Sequence, residues 1–216
     1  MNHQVQKELD DLLSNYPQLS DCVDDIWNAC ELMTNCYLRG GLIMTCGNGG
    51  SAADAEHITG ELMKGFKHQR PLSVEQRAAL ETVFPDEGAY LADHLQQGIP
   101  AISLVSQVSL LSAFSNDVST DMAFAQQVFV YGRPGDLLLG ISTSGNSKNV
   151  INACKTAKTF GIKTIGMCGK DGGRLREICD VTICVPSNET HRAQEYHLPV
   201  YHALCAMVEC VFVPKG

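Results

Sequence analysis

No apolar run in this chain approaches the ~20 residues that a membrane-spanning helix needs. The opening residues, Met1-Asn2-His3-Gln4, are polar and do not have the layout of a signal peptide. A cytoplasmic protein with no membrane partner is the expectation. Positive charge is also scarce: sixteen Lys and Arg stand against twenty-four Asp and Glu, a net charge of −8. That deficit rules out a broad basic footprint, so no nucleic-acid partner is expected and any phosphate site must be local and the ligand small. The ten cysteines include no C-x-x-C pair and mostly sit within apolar segments. They read as small buried hydrophobes kept reduced, in preference to a disulfide framework or a cysteine-rich zinc site. Internal repeats and low-complexity tracts are missing too. What remains, 216 residues with 44% apolar content, is enough for one soluble globular domain spanning 1–216.

Within it, residues 1–40 form an N-terminal helical pair. Val5, Leu9, Leu12 and Leu13 make one apolar stripe, and Ile26, Ala29, Cys30, Met33 and Tyr37 another, with a break near Pro17. From residue 41 onward, apolar runs alternate with helix-like stretches: Leu42 to Thr45, Ala101 to Val105, Asp136 to Ile141, Thr164 to Met167 and Val181 to Val185. These runs are apolar throughout, as strands are when helices cover both faces of a parallel sheet, so an α/β fold, a three-layer αβα sandwich, is predicted. An excursion at 67–98 interrupts the spacing. It is a substrate-covering element, a subunit contact or a decorated loop.

The first apolar run ends in Cys46-Gly47-Asn48-Gly49-Gly50-Ser51 and leads into a helix. Glycines let backbone amides approach a ligand, and the helix N-terminus favours an anion, so this is a candidate phosphate or carboxylate site. The third run ends in Ser142-Thr143-Ser144-Gly145-Asn146-Ser147, the same design with hydroxyls in place of glycines. Both turns fall beyond the carboxyl ends of strands, where open α/β sheets bind ligands. A phosphorylated small molecule is implied.

His57 and Glu61 lie on the helix after the first turn at i, i+4 spacing, which stacks imidazole and carboxylate on one face. Such a pair can share a metal or a proton, although H-x-x-x-E is common by chance and an ordinary surface contact is the plainer reading in isolation. His191, His197 and His202 gather at the start of a C-terminal apolar helix. Gln194 and His202 are eight residues apart there, a rise of ~12 Å. Joining them in one small site needs a helix irregularity at Pro199 or contributions from two subunits. Asn116-Asp117 fits a loop contacting sugar hydroxyls or an unliganded turn, and Lys170-Asp171-Gly172-Gly173 fits a strand-to-helix connection capped by Asp171.

Taken in order, CGNGGSAADAEH at 46–57, SND at 115–117, GRPGDLLLGISTSGNSKNV at 132–150, GKDGG at 169–173 and RAQEYHLPVYH at 192–202 resemble the SIS (sugar isomerase) domain family, and most closely its bacterial phosphoheptose isomerases. The resemblance spans nearly the whole chain. It implies a five-stranded parallel sheet between helices and a homotetramer with active sites at subunit interfaces. It also implies zinc, one per subunit, with the ligand pattern falling on His57, Glu61, Gln194 and His202. Substrate contacts carried over are Asn48, Gly49, Gly50, Ser51, Glu61, Asn116, Asp117, Ser142, Thr143, Ser144, Ser147 and Gln194. The implied reaction converts D-sedoheptulose 7-phosphate to D-glycero-D-manno-heptose 7-phosphate through a cis-enediol, the entry to activated heptose biosynthesis. In it Glu61 is the base and His202 moves protons at the oxygens. Such a carboxylate is a weak base unless desolvation raises its pKa. The alternatives are an isomerase of another ketose phosphate, or a non-catalytic tetramer that binds phosphosugars or a replication initiator.

Overall fold

A computed structural model describes residues 3–212. Helix α1 (His3–Asn15) and helix α2 (Val23–Leu38) are joined by a 3-10 turn over Pro17–Cys22. Proline sits at the start of that turn, where its missing N–H costs nothing. Five strands follow: β1 (Ile43–Cys46), β2 (Ala101–Ser103), β3 (Leu137–Ile141), β4 (Lys163–Cys168) and β5 (Val181–Cys184). They form one parallel sheet in the order β2-β1-β3-β4-β5. The interleaved helices are α3 (Gly50–Met63), α4 (Val74–Val83), α5 (Gly88–His94), α6 (Val108–Asp117), α7 (Ala123–Tyr131), α8 (Lys148–Thr159), α9 (Leu175–Ile178) and α10 (Thr190–Glu209).

The sheet separates two cores, as strands without in-out polarity require. Leu137, Leu139 and Ile141 of β3 pack with the layer of α1, α2, α3 and α10, while Leu138 packs with residues of α7 and α8 on the opposite face. This is the predicted αβα sandwich. Because the chain leaves β1 for β2 on one side and for β3 on the other, the β1/β3 boundary is the point where a crevice opens beyond the strand ends.

Three sequence expectations give way to the structure. Asn116 and Asp117 are the last residues of α6 and not part of a loop, with Asn116 donating to Asp117 Oδ1 at 2.9 Å. Asp171 does not cap α9, whose N-cap position is Arg174; its Oδ2 accepts from Asn188 instead. Finally, α10 runs unbroken through Pro199. The surrounding packing outweighs the one backbone hydrogen bond that proline removes, so no irregularity brings Gln194 toward His202.

The excursion is a pair of short helices. Ser73 and Gln76 form a reciprocal capping box that starts α4. No residue of α4 is buried, and Val74, Val83, Phe84, Tyr90 and Leu95 are exposed. Its root is held differently. Glu209, at the end of α10, accepts the amides of Phe66, Lys67 and His68 and pairs with Arg70 at 2.8 Å, both side chains being fully buried. Arg70 also donates to the Leu62 carbonyl at the end of α3. Among the described residues, no helix is long and apolar enough to cross a membrane.

Candidate active site

The two anion turns leave adjacent strands, so the pairing of Cys46 with Gly140 sets them side by side. In the first turn Gly49 takes φ +55, a left-handed conformation that a side chain would strain, and α3 begins at the next residue. Asn48, Gly49 and Gly50 are exposed at the rim, whereas Ser51 is buried beneath it and its amide bonds the Asn48 carbonyl. In the second turn Ser142 Oγ and Ser147 Oγ lie 2.9 Å apart, the Ser144 hydroxyl accepts the Asn146 amide, and α8 starts just beyond. Ser142 is buried, Thr143 and Ser147 are half-buried, and Ser144 is exposed.

Two features fix this pair of turns. Asn48 and Asn149 exchange amide hydrogen bonds of 2.9 and 2.8 Å, tying one turn to the other. The Gly169–Gly173 segment supports the second turn from behind: Gly169 N–H bonds Thr143 O, Leu175 N–H bonds Gly145 O, and Arg174 N–H bonds Asn146 Oδ1. A Cβ on Gly145, already at φ +66, would stand 1.9 Å from the Gly172 carbonyl oxygen. The glycines of GKDGG therefore shape the neighbouring turn, and the segment connects β4 to α9 without the Asp171 cap.

Helices α3 and α10 run side by side from the turns. Gln194 packs on Gly50 at the beginning of α3, where an added Cβ would meet Gln194 Nε2 at 2.5 Å. Further along, His57, Glu61 and His202 come together: His57 Nε2 is 3.2 Å from Glu61 Oε1, and the His57 and His202 rings meet edge to face at 5.1 Å. The His57–Glu61 contact thus lies beside His202, with the Glu61 side chain largely covered and that of His57 43% exposed. His197 and His191 do not join it. His197 is fully buried, and burial, partly opposed by the Cys168 backbone, pushes its pKa down to about 4. His191 is exposed next to Glu189.

Electrostatics at Glu61 do not supply the raised pKa that would make it a stronger base. Burial does push it up, but Lys64, whose Nζ lies 2.9 Å from Oε2, and His57 pull further the other way, so the carboxyl is held below its ordinary value. His202 is shifted down, first by burial and then by the nearby His57. Sequence reasoning missed Lys64, Asn149, Tyr201 and Asp54. Of these, Asp54, Asn149 and Tyr201 stood within recognised segments, with Tyr201 adjacent to His202, but the segment patterns assign none of them a partner.

Nitrogen and carboxylate donors suit zinc, and two ligands on a tetrahedral zinc stand about 3.4 Å apart, close to the His57–Glu61 separation. His202 lies within the same cluster. Gln194 is at the other end of the contact, beside Gly50, and among the described residues no three His, Cys, Asp or Glu side chains form a complete metal cage. Among the described residues the donors gathered here are therefore one imidazole–carboxylate pair with a second imidazole ring beside it, groups whose chemistry suits a zinc ion.

Known proteins resemble this chain in sequence and fold. The SIS domain family matches residues 16–83 and 77–169. A phosphoheptose isomerase of Aliarcobacter butzleri is 40% identical over 181 residues, covering 84% of this chain and 82% of the relative. The solved phosphoheptose isomerase of Neisseria gonorrhoeae superposes with a TM-score of 0.69 at 33% identity, over 95% of this chain and 91% of that one. A Francisella tularensis phosphoheptose isomerase superposes with a TM-score of 0.73 at 28% identity, over 90% of each chain. The family match across most of the chain, together with relatives at 33–40% identity over more than four fifths of their length, places this chain among the phosphoheptose isomerases of the SIS domain family.

Proposed function

We propose that the protein converts D-sedoheptulose 7-phosphate to D-glycero-D-manno-heptose 7-phosphate, the first step toward activated heptoses. The observation that carries this reading is the junction of two tied anion turns with the His57–Glu61–His202 cluster one helix-length away. The substrate's phosphoryl group would be held by Gly49 and Gly50 and by the hydroxyls of Thr143, Ser144 and Ser147, with Asn48 and Ser142 bracing the turns. Asn116 and Asp117 would meet sugar hydroxyls, and Gln194 the chain between tail and carbonyl.

Glu61 would remove the proton from the carbon next to the carbonyl and return it to the neighbouring carbon, giving a cis-enediol between. A carboxylate held ionised by Lys64 and His57 is ready to accept a proton at neutral pH, although its basicity is low. That favours a catalytic role only if substrate binding loosens the Lys64 contact or the substrate's proton is made more acidic. His202, lowered in pKa by burial, is neutral at pH 7 and can shuttle protons at the sugar oxygens. Zinc held by His57, Glu61 and His202 would supply Lewis-acid stabilisation of negative charge on those oxygens. Gln194 would complete the set from a neighbouring subunit. A homotetramer is supported by the exposed apolar residues of α4, α5, α6 and α7, including Val74, Val83, Tyr90, Val108 and Phe129. A cytoplasmic location fits a sugar phosphate as substrate.

The test is incubation with sedoheptulose 7-phosphate while aldose formation is followed, with and without chelator. Turnover is expected for the wild type and its loss, with binding retained, for Glu61→Gln. Absence of turnover across a panel of ketose phosphates would contradict the reading.

A further inference from the structure

Tyr201 precedes His202 on α10 and is only 1% exposed, yet its hydroxyl lies 2.9 Å from His57 Nδ1. The same hydroxyl meets the carboxyl of Asp54, one helical turn before His57 on α3. The second Asp54 oxygen, Oδ2, is buried and without a hydrogen-bond partner. On its other side His57 presents Nε2 to Glu61 Oε1 at 3.2 Å. Asp54, Tyr201, His57 and Glu61 therefore form a line of polar groups crossing from α3 to α10 and back.

Proton counting along the line fixes its direction. A phenol has one proton to donate, and an ionised carboxylate can only accept. Burial, partly opposed by Tyr201 and His57, leaves the Asp54 pKa at about 6, so the group is mostly an anion at neutral pH. The Tyr201 proton then points to Asp54, and the hydroxyl oxygen can only accept from His57. Nδ1 must carry a ring proton, and in the neutral ring Nε2 is then left with a lone pair facing a carboxylate oxygen. Two acceptors at that separation are stable only with a proton or a cation between them.

We propose that Tyr201, backed by Asp54, is a positioning residue that holds His57 in its Nδ1–H tautomer and so keeps Nε2 as an acceptor aimed at the Glu61 carboxylate. Partners of this kind on the far nitrogen of a working imidazole are worth about 10- to 100-fold in ligand affinity or activity. The contribution to turnover rests on the isomerase reading, whereas the tautomer does not.

The test is nitrogen-15 NMR of the full-length protein, as purified and after chelator treatment, at alkaline pH where the ring is not doubly protonated. His57 signals are identified by their loss in His57→Gln. The wild type is expected to show Nδ1 protonated and Nε2 unprotonated or ligated. Tyr201→Phe, which keeps the ring and removes the hydroxyl, is expected to show a mixture of tautomers. In the same variant kcat should fall about 10- to 100-fold with KM within about twofold. Asp54→Asn offers an amide that can donate to the Tyr201 oxygen, and it should move the population toward Nε2–H even if Tyr201→Phe folds poorly. A wild-type ring protonated at Nε2, or a tautomer unchanged in both variants, would overturn the proposal, as would an unchanged kcat in Tyr201→Phe. If the wild type is Nδ1–H but does not isomerise sedoheptulose 7-phosphate, the proposed function fails and the tautomer assignment stands.

Discussion

Replacing Arg70 by Met should cost about 3 kcal/mol of stability, the low end of what breaking a buried ion pair costs. The reason lies in what Glu209 keeps. Arg70 and Glu209 are 1% and 0% exposed and paired at 2.8 Å, so removal of the guanidinium leaves a buried carboxylate. That carboxylate still accepts from the amides of Phe66 and Lys67 at 2.7 Å and of His68 at 3.1 Å, which offset much of the lost charge partner. The methionine chain fills the volume against Phe212, over whose ring the guanidinium now sits at 4.8 Å. Glu209→Leu is a different case. It strands an unpaired guanidinium and three amides, each orphan costing ~1–3 kcal/mol, and together these exceed the lower range of a domain's total stability. Urea unfolding followed by circular dichroism reads both variants. Because Arg70 also holds the Leu62 carbonyl, the end of α3 should loosen and kcat should fall in Arg70→Met. An Arg70→Met protein within 1 kcal/mol of wild type, or a Glu209→Leu protein more stable than Arg70→Met, would refute the reasoning.

Two further perturbations test the rest of the frame. Gly145→Ala places a Cβ 1.9 Å from the Gly172 oxygen at a backbone φ of +66, so the hydroxyl turn must shift. Stability should drop by ~1–2 kcal/mol from the backbone conformation alone, and KM for the sugar phosphate should rise more than kcat falls; unchanged KM would remove this turn from phosphate binding. His197 is fully buried and its pKa lies near 4 instead of 6.5. The unfolded chain therefore binds the extra proton between those values, so stability is lost as pH falls from 6.5 toward 4, by about 3 kcal/mol. His197→Leu should flatten that part of the stability profile, and an unaltered acid slope would show that the histidine is not its source.

Much of the frame was readable because it depends on local pattern. Strands without polar alternation, such as Leu137–Ile141, called for helices on both faces, and the glycines before α3 called for an anion turn. Strand limits moved by a residue or two where a side chain took over backbone bonding; Asp136 accepts the Leu42 amide at 2.8 Å and thus sits before β3 instead of starting it. What stayed hidden depends on distant partners. Arg70 looks like one more polar residue in Lys67-His68-Gln69-Arg70, and nothing nearby reveals a carboxylate 139 positions later. Tyr201 occupies a core position of an apolar helix and shows its polar role only when α3 is packed beside it. Pro199 was one of two ways to join Gln194 and His202, and the packing of α10 against α3 and α2 carries the helix through it without a break. The direction of the Glu61 pKa shift was hidden for the same kind of reason: Lys64, just beyond the helix end, reaches back to it.

A crystal structure of Glu61→Gln with sedoheptulose 7-phosphate bound is the most direct test of how the site grips its ligand. The phosphoryl oxygens are expected among the Gly49 and Gly50 amides and the hydroxyls of Thr143, Ser144 and Ser147, with the first two sugar carbons against the side chain at position 61. Phosphate density outside the two turns, or a sugar whose carbonyl end lies away from that side chain, would contradict the account.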